Sequence, residues 1–334
     1  MKKDKPYSNI TISPLEHSEV LIEGEITAEY LEEKRAEALK KLVTGAEIPG
    51  FRKGTAPEHL VVRHFGESRI LENAAQDVIE AQYWDIVADN SLRAIGTPDI
   101  TITKLAAGNP LGFKIKTAVM PEVTLPDYEA LARKVNAEPQ ETLSVDDKEI
   151  DSALEQLKEV KKVETIDDAF AQSLGDFKTL DELKSKISEN MLAEKNVRAK
   201  EKRRLAILEA ILAETTFPVP QVLVDFELQK MIAQFKDDVA RAGLEYSSYL
   251  KQINKTEADI ATEWKESAIK RARTQLIFGK ISKDKQLVPD EKTIEHEVDH
   301  IIEHHKDADR FRARMFVENM LTNEKVLEFL ENQK

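Results

Sequence analysis

Glycine and proline are distributed unevenly along this chain of 334 residues, and their distribution limits what each part can fold into. Eight of the eleven glycines precede residue 113, and nine of the twelve prolines precede residue 140. The last 195 residues contain three of each. Because glycine and proline end helices and mark turns, the front part is expected to mix strands, helices and loops, and the rest to be helical.

The front part contains three short stretches in which apolar and polar residues alternate, as in strands with one buried face. These stretches are residues 18–27, 100–104 and 113–119. Between the first two, the pattern predicts a helix over 28–43, a loop rich in glycine and proline over 44–57, and then further helix. The apolar positions of that further helix are Ile70, Leu71, Ala74, Val78, Ile79, Tyr83 and Ile86. The front part is therefore predicted to be an α+β domain of about 120 residues.

The back part shows several helix starts. A hydroxyl residue stands three positions before a carboxylate, the spacing of a capping box, in Ser144 with Asp147, Thr179 with Glu182, and Thr256 with Asp259. The helix after Thr179 is predicted to run about nine turns to Pro218. The later helices are predicted over residues 222–242, 256–283, 290–305 and 309–332. An extended all-α region is therefore expected.

The long helix has an almost entirely charged middle, residues 194–204, with one valine. Such a segment can cover little core, so it is expected to protrude or to form an arm. Helices with apolar faces rich in Ile, Leu, Val and Met can build an open scaffold with shallow grooves that bind unfolded segments. An ordinary helical bundle, with all apolar faces satisfied internally, fits the same pattern.

Composition excludes several classes of protein. The chain has 49 Lys and Arg against 62 Asp and Glu, a net charge of −13, so any contact with nucleic acid requires a local basic patch. Without cysteine there is no disulfide, thiolate nucleophile or Cys-ligated metal. The longest uncharged stretch found, residues 215–224, is far shorter than a membrane span of about 20 residues. With no apolar segment after its N-terminal lysines, the chain is expected to be soluble and cytoplasmic.

The sequence His296, Glu297, Val298, Asp299, His300 matches H-E-x-x-H, a zinc-protease motif. A helical projection, however, puts Val298 and its apolar neighbours on one side and His296, His300 and His304 on nearly the opposite side. The histidines are thus expected to face solvent, and no third ligand is evident. Adventitious binding of nickel or zinc by this row of histidines fits the pattern better than a hydrolytic site.

Residues 45–50 imitate the beginning of a phosphate-binding loop, G-x-x-x-x-G. The sequence departs from the phosphate-loop motif at the next two positions, where Phe51 and Arg52 stand in place of the required Lys and Ser or Thr. The loop also follows a predicted helix rather than a strand. Nucleotide binding is therefore not expected, and no cofactor is predicted.

The same loop, residues 48–57, has another interpretation. Two glycines and two prolines indicate a tight exposed turn, with one aromatic and two cations at its tip. Residues 40–64 contain five cations and two acids, a local charge of +3 in a chain of −13. This pattern favours docking on an RNA-rich surface, with cations on phosphate and the ring stacking or wedging. The alternative is a plain loop whose Phe51 folds back into the core.

The loop residues Gly50, Phe51, Arg52, Gly54 and Pro57 follow the pattern G-F-R-x-G-x-x-P. This motif, the order strand, helix, loop, helix around it, and the strand that closes at residues 120–123 resemble the bacterial trigger factor family. Residues 167–228 resemble the start of that family's C-terminal chaperone domain, since a long charged helix there precedes F-P-V-P-Q-V-L-V-D. The resemblance covers most of the chain.

The resemblance implies an α+β ribosome-binding domain over 1–124, a linker and connecting helix over 125–165, and an extended all-α chaperone domain over 166–334. In this family the aromatic and basic residues at the loop tip dock beside the polypeptide exit tunnel of the large ribosomal subunit, on ribosomal protein and ribosomal RNA. Carried over by position, the ribosome-binding residues are Gly50, Phe51, Arg52, Lys53, Gly54 and Pro57.

One departure from the family is large. Trigger factors usually carry an FKBP-type prolyl isomerase domain after the linker, but here residues 144–164 lead almost directly to Asp176. About a dozen residues cannot form a domain, because chains below roughly 40 residues rarely fold unaided. The isomerase domain is therefore expected to be absent after about residue 164, and the chain is not expected to be an enzyme.

The expected function is that of an ATP-independent chaperone, cytoplasmic and partly ribosome-bound, that binds unfolded nascent polypeptides and assists their folding. No membrane partner is expected, and a homodimer of free copies, formed by burying their apolar grooves, is left open. Two alternatives also stay open. One is a soluble helical chaperone or adaptor that acts away from ribosomes, and the other is a zinc hydrolase.

Overall fold

The structure is a computed structural model that describes residues 5–49, 51–139 and 143–334. These residues form two compact units. The first comprises the chain up to Val123 together with Phe217–Arg273, and the second comprises Thr124–Thr216 together with Thr274–Lys334. The predicted domain limits stay a prediction, because compact units built from separate chain segments and domains inferred from family resemblance are different divisions of a chain.

The elements follow one another in an order that matches the uneven distribution of glycine and proline. The strands are β1 Tyr7–Leu15, β2 Glu19–Ile26, β3 Ala94–Lys104 and β4 Leu111–Val119. The helices are α1 Ala28–Gly45, α2 Glu58–Phe65, α3 Glu67–Asp89, α4 Tyr128–Asn136, α5 Asp147–Lys161, α6 Asp168–Leu174, α7 Leu180–Glu214, α8 Gln221–Arg241, α9 Tyr246–Gln252, α10 Glu257–Lys285, α11 Glu291–His304 and α12 Arg310–Glu331. The predicted α+β front part and helical back part are confirmed.

The sheet of the first unit is antiparallel, with strand order β1, β2, β4, β3. Strands β2 and β4 were predicted, whereas β1 was not, and β3 begins before the predicted residue 100. Both misses occur where the alternation is broken, by a register shift after Ser8 in β1 and by another between Ile95 and Asp99 in β3. Strand β4 ends at Val119, directly before residues 120–123, where the strand was predicted to close.

Helix α3 covers the sheet and completes the main core of the first unit. All seven of its predicted apolar positions are buried. Five of them, Leu71, Val78, Ile79, Tyr83 and Ile86, share one core with residues of β2 and β4, among them Ile22 and Phe113. Inside this core a hydrogen bond of 2.7 Å joins the Tyr83 hydroxyl and Thr117 Oγ1, which leaves neither buried hydroxyl without a partner.

The segment that precedes α8 packs on the sheet domain within the same unit. Phe217 and Val219 are buried, and the Ser18 hydroxyl donates a hydrogen bond of 3.2 Å to the Pro218 carbonyl. Gly96 in β3 lies so close that a Cβ there would be 2.8 Å from Val222 Cγ2. These contacts fix the point at which the chain returns to the first unit.

In the second unit, α5, α6 and α7 share a small core that includes Leu154, Phe170 and Leu183. Only the seven-residue helix α6 and two short loops separate α5 from α7. Helices α11 and α12 form a hairpin with its own core of Ile294, Val298, Ala313 and Val317.

Two of the three predicted helix caps are confirmed. Thr179 accepts the amide of Glu182 at 3.3 Å, and Thr256 and Asp259 bond each other's backbone amides. The third prediction is wrong, because Asp146 rather than Ser144 caps α5. The Asp146 carboxylate accepts the Glu149 amide at 2.8 Å and Glu149 accepts the Asp146 amide at 3.1 Å, which is a complete capping box.

The charged middle of α7 does not protrude freely, contrary to expectation. Lys195 donates to the Ser144 carbonyl and to Glu149, each at 2.7 Å. Arg204 binds Glu324 and Glu331 of α12 within the second unit, and these hydrogen bonds raise the pKa of Arg204 above its usual range. In this part of α7, ion pairs with neighbouring helices hold the helix in place where it has no apolar face to bury.

None of the helices in the described ranges combines the length and the apolar composition that are needed to cross a membrane.

Replacing Gly96 with alanine is expected to destabilise the protein more than the same change at Gly108. Both glycines have left-handed φ angles, 73° and 71°, so either alanine costs about 1 kcal/mol in backbone strain. A Cβ at Gly96 would also clash with Val222, whereas one at Gly108 has no neighbour within 4 Å. Urea unfolding at 25 °C should show an additional loss of at least about 1 kcal/mol for Gly96→Ala.

Adding Val222→Ala to the Gly96→Ala variant should recover part of that additional loss, because it removes the clashing methyl groups. Equal losses at the two glycines would contradict the packing of the α8 segment on β3.

Candidate functional site

The loop between α1 and α2 is closed by its own backbone hydrogen bonds. The Gly54 amide donates to the Ala46 carbonyl at 3.4 Å across the base of the loop. Nearer the tip, the Phe51 amide donates to the Ile48 carbonyl at 3.0 Å. The Thr55 amide and hydroxyl both donate to the Arg52 carbonyl, at 3.0 and 2.7 Å. The predicted residue Gly50 lies outside the described residues.

A small apolar cluster beneath the loop holds both of its ends. Ala46 and Ile48 on the incoming side and Ala56 on the outgoing side are buried against helices α1, α2 and α3. The helix residues of the cluster are Leu39, Val61 and Ile70. This anchoring role of Ile48 was not identified from the sequence, although a single large aliphatic residue in a loop rich in glycine and proline is a usable signal.

Gly54 and Pro57 occupy backbone positions that favour these two residue types. Gly54 has a φ of 77°, and a Cβ there would lie 3.0 Å from the Thr44 carbonyl oxygen, so the position suits glycine alone. Pro57 is the N-cap of α2, and its carbonyl accepts the amides of Leu60 and Val61. Proline can stand there because a helix start has no use for its missing N–H.

The tip residues point outward. Phe51 is 42% exposed, so its ring does not fold back into the core, and Arg52 and Lys53 are exposed as well. Lys53 Nζ lies 3.8 Å from Glu47 Oε1, a long contact between two exposed groups that is worth little. Arg52 has no ion-pair partner in the described part of the chain. The structure therefore brings one aromatic ring and two available cations together.

A groove of about 400 Å³ lies between α1 and α3, beside the cluster beneath the loop. Its charged rim is already paired, because Lys34 Nζ lies 2.9 Å from Glu37 Oε2. That hydrogen bond raises the pKa of Lys34 and lowers the pKa of Glu37. The groove offers no uncommitted charge from this pair, and no ligand is assigned to it.

The predicted histidine row does not form a hydrolytic centre. Val298 is buried in the α11 and α12 hairpin, whereas His296, His300 and His304 are exposed on the other side of α11, as predicted. The rings of His300 and His304 lie 4.6 Å apart. Across the described ranges, no group of three or more potential ligands is arranged to hold a metal ion. The zinc-hydrolase alternative therefore finds no ligand set among the residues that the structure describes.

Two family models match the chain. The model described as bacterial trigger factor protein matches residues 8–157, and the model described as bacterial trigger factor protein C-terminus matches residues 179–332. They leave unmatched the two ends of the chain and residues 158–178, which contain α6. The fold and these matches define a molecular chaperone.

The similar proteins agree with this class. A trigger factor of Clostridium botulinum (strain Langeland) is 21% identical over 432 aligned residues, covering 98% of this chain and 99% of the relative. A trigger factor of Moorella thermoacetica is 23% identical, covering 86% and 85%. A solved trigger factor chaperone, described for promiscuous substrate recognition in folding and assembly, matches with a TM-score of 0.57 and 16% identity, over 98% of this chain and 100% of that one. The chain belongs to the bacterial trigger factor family.

The family and the fold class predicted from the sequence are thus confirmed. The roles of Phe51, Arg52 and Lys53 in ribosome binding, together with those of Gly50, Gly54 and Pro57, stay predictions at this point.

If the loop is built as described, Phe51→Ala and Ile48→Ala should differ sharply in stability. The Phe51 ring is largely solvated, so its loss should change the free energy of unfolding by about 0.5 kcal/mol or less. Ile48 is buried, and truncating it should cost about 2 kcal/mol or more. Urea unfolding of the two variants measures both values, and a comparable loss at Phe51 would place its ring in the core instead.

Proposed function

We propose that this protein is a ribosome-associated chaperone that uses the loop tip to dock on the large ribosomal subunit near the exit tunnel. The observation that carries the proposal is the exposure of Phe51, Arg52 and Lys53 on a loop whose two ends are anchored. Two cations suit ribosomal RNA phosphates, and an exposed ring suits stacking on a base or insertion beside ribosomal protein. Membership in the trigger factor family supports this assignment.

Docking lets weak contacts hold an emerging polypeptide. A tether at the tunnel exit gives the nascent chain an effective concentration in the millimolar range, so each apolar contact can be weak and short-lived. The helical region then covers apolar segments until burial within the client becomes more favourable. Release needs no nucleotide in this mechanism, because the client's own folding drives it.

The distribution of charge along the chain suits docking by the loop and client binding by the helical region. Of the net charge of −13, residues 121–334 carry −10 and residues 1–120 carry −3, while the loop region is locally positive. The acidic region is repelled by ribosomal RNA, and the loop is attracted to it. We place the protein in the cytoplasm, partly ribosome-bound.

The chain is also proposed to lack prolyl isomerase activity. The two family models leave residues 158–178 unmatched, and α6 is the one complete helix there. The alignment with the Clostridium botulinum relative runs over 432 positions, roughly a hundred more than this chain has residues. A difference of that size corresponds to one small domain that the relative has and this chain does not.

Isomerisation of an X-Pro bond in a short peptide should therefore proceed at the uncatalysed rate, over tens of seconds at 25 °C, when this protein is added. A protease-coupled peptide assay measures that rate. Acceleration that grows with protein concentration would show that another part of the chain supplies the activity.

The docking proposal is tested by co-sedimentation with vacant large ribosomal subunits. The double variant Phe51→Ala, Arg52→Ala should bind at least about tenfold more weakly than the wild type, since it removes the ring and one cation. If two cations contact phosphate, wild-type affinity should fall roughly tenfold between 50 and 200 mM monovalent salt.

The chain provides a matched control, because Phe311 and Arg312 are the same dipeptide, also exposed, on α12. The variant Phe311→Ala, Arg312→Ala should pellet like the wild type. Equal binding by the loop variant and the wild type would refute docking through the loop, and absence of binding by the wild type would favour a chaperone that acts away from the ribosome.

A further inference from the structure

Helix α11 carries a row of three exposed histidines, and two of them already lie close together. His296, His300 and His304 follow one another at intervals of four residues, so their side chains project from the same side of the helix. The rings of His300 and His304 lie 4.6 Å apart, centre to centre, with their planes at 66°. We call these two residues the α11 histidine pair. The proposed function leaves them without a role.

The imidazole groups of the α11 histidine pair have no competing partner. Among the described residues, neither ring enters a hydrogen bond or an ion pair. In His296, by contrast, Nδ1 lies 3.5 Å from Glu297 Oε1. The ring nitrogens of the pair are therefore available, and the imidazole nitrogen is the commonest metal ligand in proteins.

The distance between the two rings suits one shared metal ion. An ion bonded to an imidazole nitrogen lies about 2.1 Å from that nitrogen and about 3.2 Å from the ring centre. Two rings that bind one ion at an angle of about 90 to 110° are then about 4.5 to 5.2 Å apart. The observed separation of 4.6 Å falls within this range. Binding therefore requires only rotation of two exposed side chains.

The backbone that carries the pair is held from the opposite side of α11. Ile294 and Val298 are buried in the core of the hairpin. Arg310 of α12 donates a hydrogen bond of 2.7 Å to Asp299. Because the turn that separates His300 from His304 is already formed and packed, a metal ion that binds both rings orders little backbone.

Carboxylates next to the pair favour the approach of a cation. Glu297 and Glu303 stand three residues before and three residues after His300, which places one carboxylate on each side of it on the helix surface. Glu303 is exposed and has no ion-pair partner within the described ranges. The negative potential of such groups raises the local concentration of metal ions.

The ligand type and the ligand number together define the class of site. Imidazole nitrogen suits Cu²⁺, Ni²⁺ and Zn²⁺, whereas Mg²⁺ and Ca²⁺ take oxygen ligands. Catalytic zinc sites have three protein ligands and structural zinc sites have four, so two histidines form neither. This agrees with the finding that no group of three or more ligands is arranged around one point in the described part of the chain. Coordination positions stay open to water or to donor groups of another molecule.

We propose that the α11 histidine pair is an open surface site that chelates one Cu²⁺, Ni²⁺ or Zn²⁺ ion. The ion bonds to one ring nitrogen of His300 and to one of His304, and it links two successive turns of α11. Because the two nitrogens meet at one ion only when the helix is formed, the bound ion stabilises the folded hairpin. The site is independent of loop docking and goes beyond the proposed function.

The test is isothermal titration calorimetry of the full-length protein, prepared without a histidine tag, with Ni²⁺ and separately with Mg²⁺. The wild type should bind one Ni²⁺ per chain and no Mg²⁺. The variant His304→Gln should bind Ni²⁺ at least about tenfold more weakly, because a single imidazole cannot chelate. Circular dichroism checks that each variant is folded. Ni²⁺ should also raise the midpoint of thermal unfolding of the wild type but not that of His300→Gln, His304→Gln.

Helix α2 provides a matched control. His59 and His64 are also exposed, but they are five residues apart, so they project about 140° apart around the helix and cannot share an ion. The variant His59→Gln, His64→Gln should therefore bind Ni²⁺ like the wild type.

The outcomes decide between a defined site and binding spread over the surface. Equal Ni²⁺ affinity in the wild type and His304→Gln, or equal weakening in the α2 control, would overturn the site. One ion per two chains, with a matching rise in mass by light scattering, would support the site and assign its open positions to a second copy. Neither ribosomes nor clients enter this experiment, so its failure would leave the proposed function standing, and failure of loop docking would leave the site standing.

Discussion

The anchoring of one loop determines how the rest of this structure can be used. Ala46, Ile48 and Ala56 are buried against α1, α2 and α3, and they hold the incoming and outgoing ends of the loop. Because the ends are held, the tip residues Phe51 and Arg52 project into solvent in a defined arrangement. An unanchored loop with the same residues would lose more conformational entropy on docking and would bind more weakly.

In the proposed function, recognition is divided between two kinds of surface with opposite requirements. The loop tip must bind one partner repeatedly, so its ring and cations are presented by a closed backbone turn. The helical region must accept many sequences and release them, which suits contacts that are individually weak. Tethering through the first surface compensates for the weakness of the second.

The sequence predicted most of the fold, because its signals were local. The core residues of α3, the cap of α7 at Thr179 and the solvent-facing row of histidines all follow from spacing along one helix. The failures occur where the alternation is broken or where the partners of a residue lie far along the chain. Strand β1 depends on pairing with β2 across a bulge, and Lys195 and Arg204 find partners far along the chain, so no pattern within the charged helix could reveal them.

The candidate site was predicted in part for the same reason. The pattern of glycines, prolines and tip residues is local and was recognisable, whereas the burial of Ile48 depends on α3 and became visible only in the structure. The exposure of Phe311, Met315, Phe316 and Met320 on α12 was not predicted. Only the packing of α12 on α11 distinguishes the buried side of that helix from the exposed one.

The most direct measurement is photo-cross-linking on ribosomes that carry a stalled nascent chain. A photoreactive phenylalanine derivative replaces Phe51 in one sample and Phe311 in another. We expect position 51 to cross-link to protein or RNA of the large ribosomal subunit. We expect position 311, which lies on α12 in the helical region, to cross-link to the nascent chain. Cross-links from position 51 to the nascent chain alone, or to neither partner, would contradict the proposed docking.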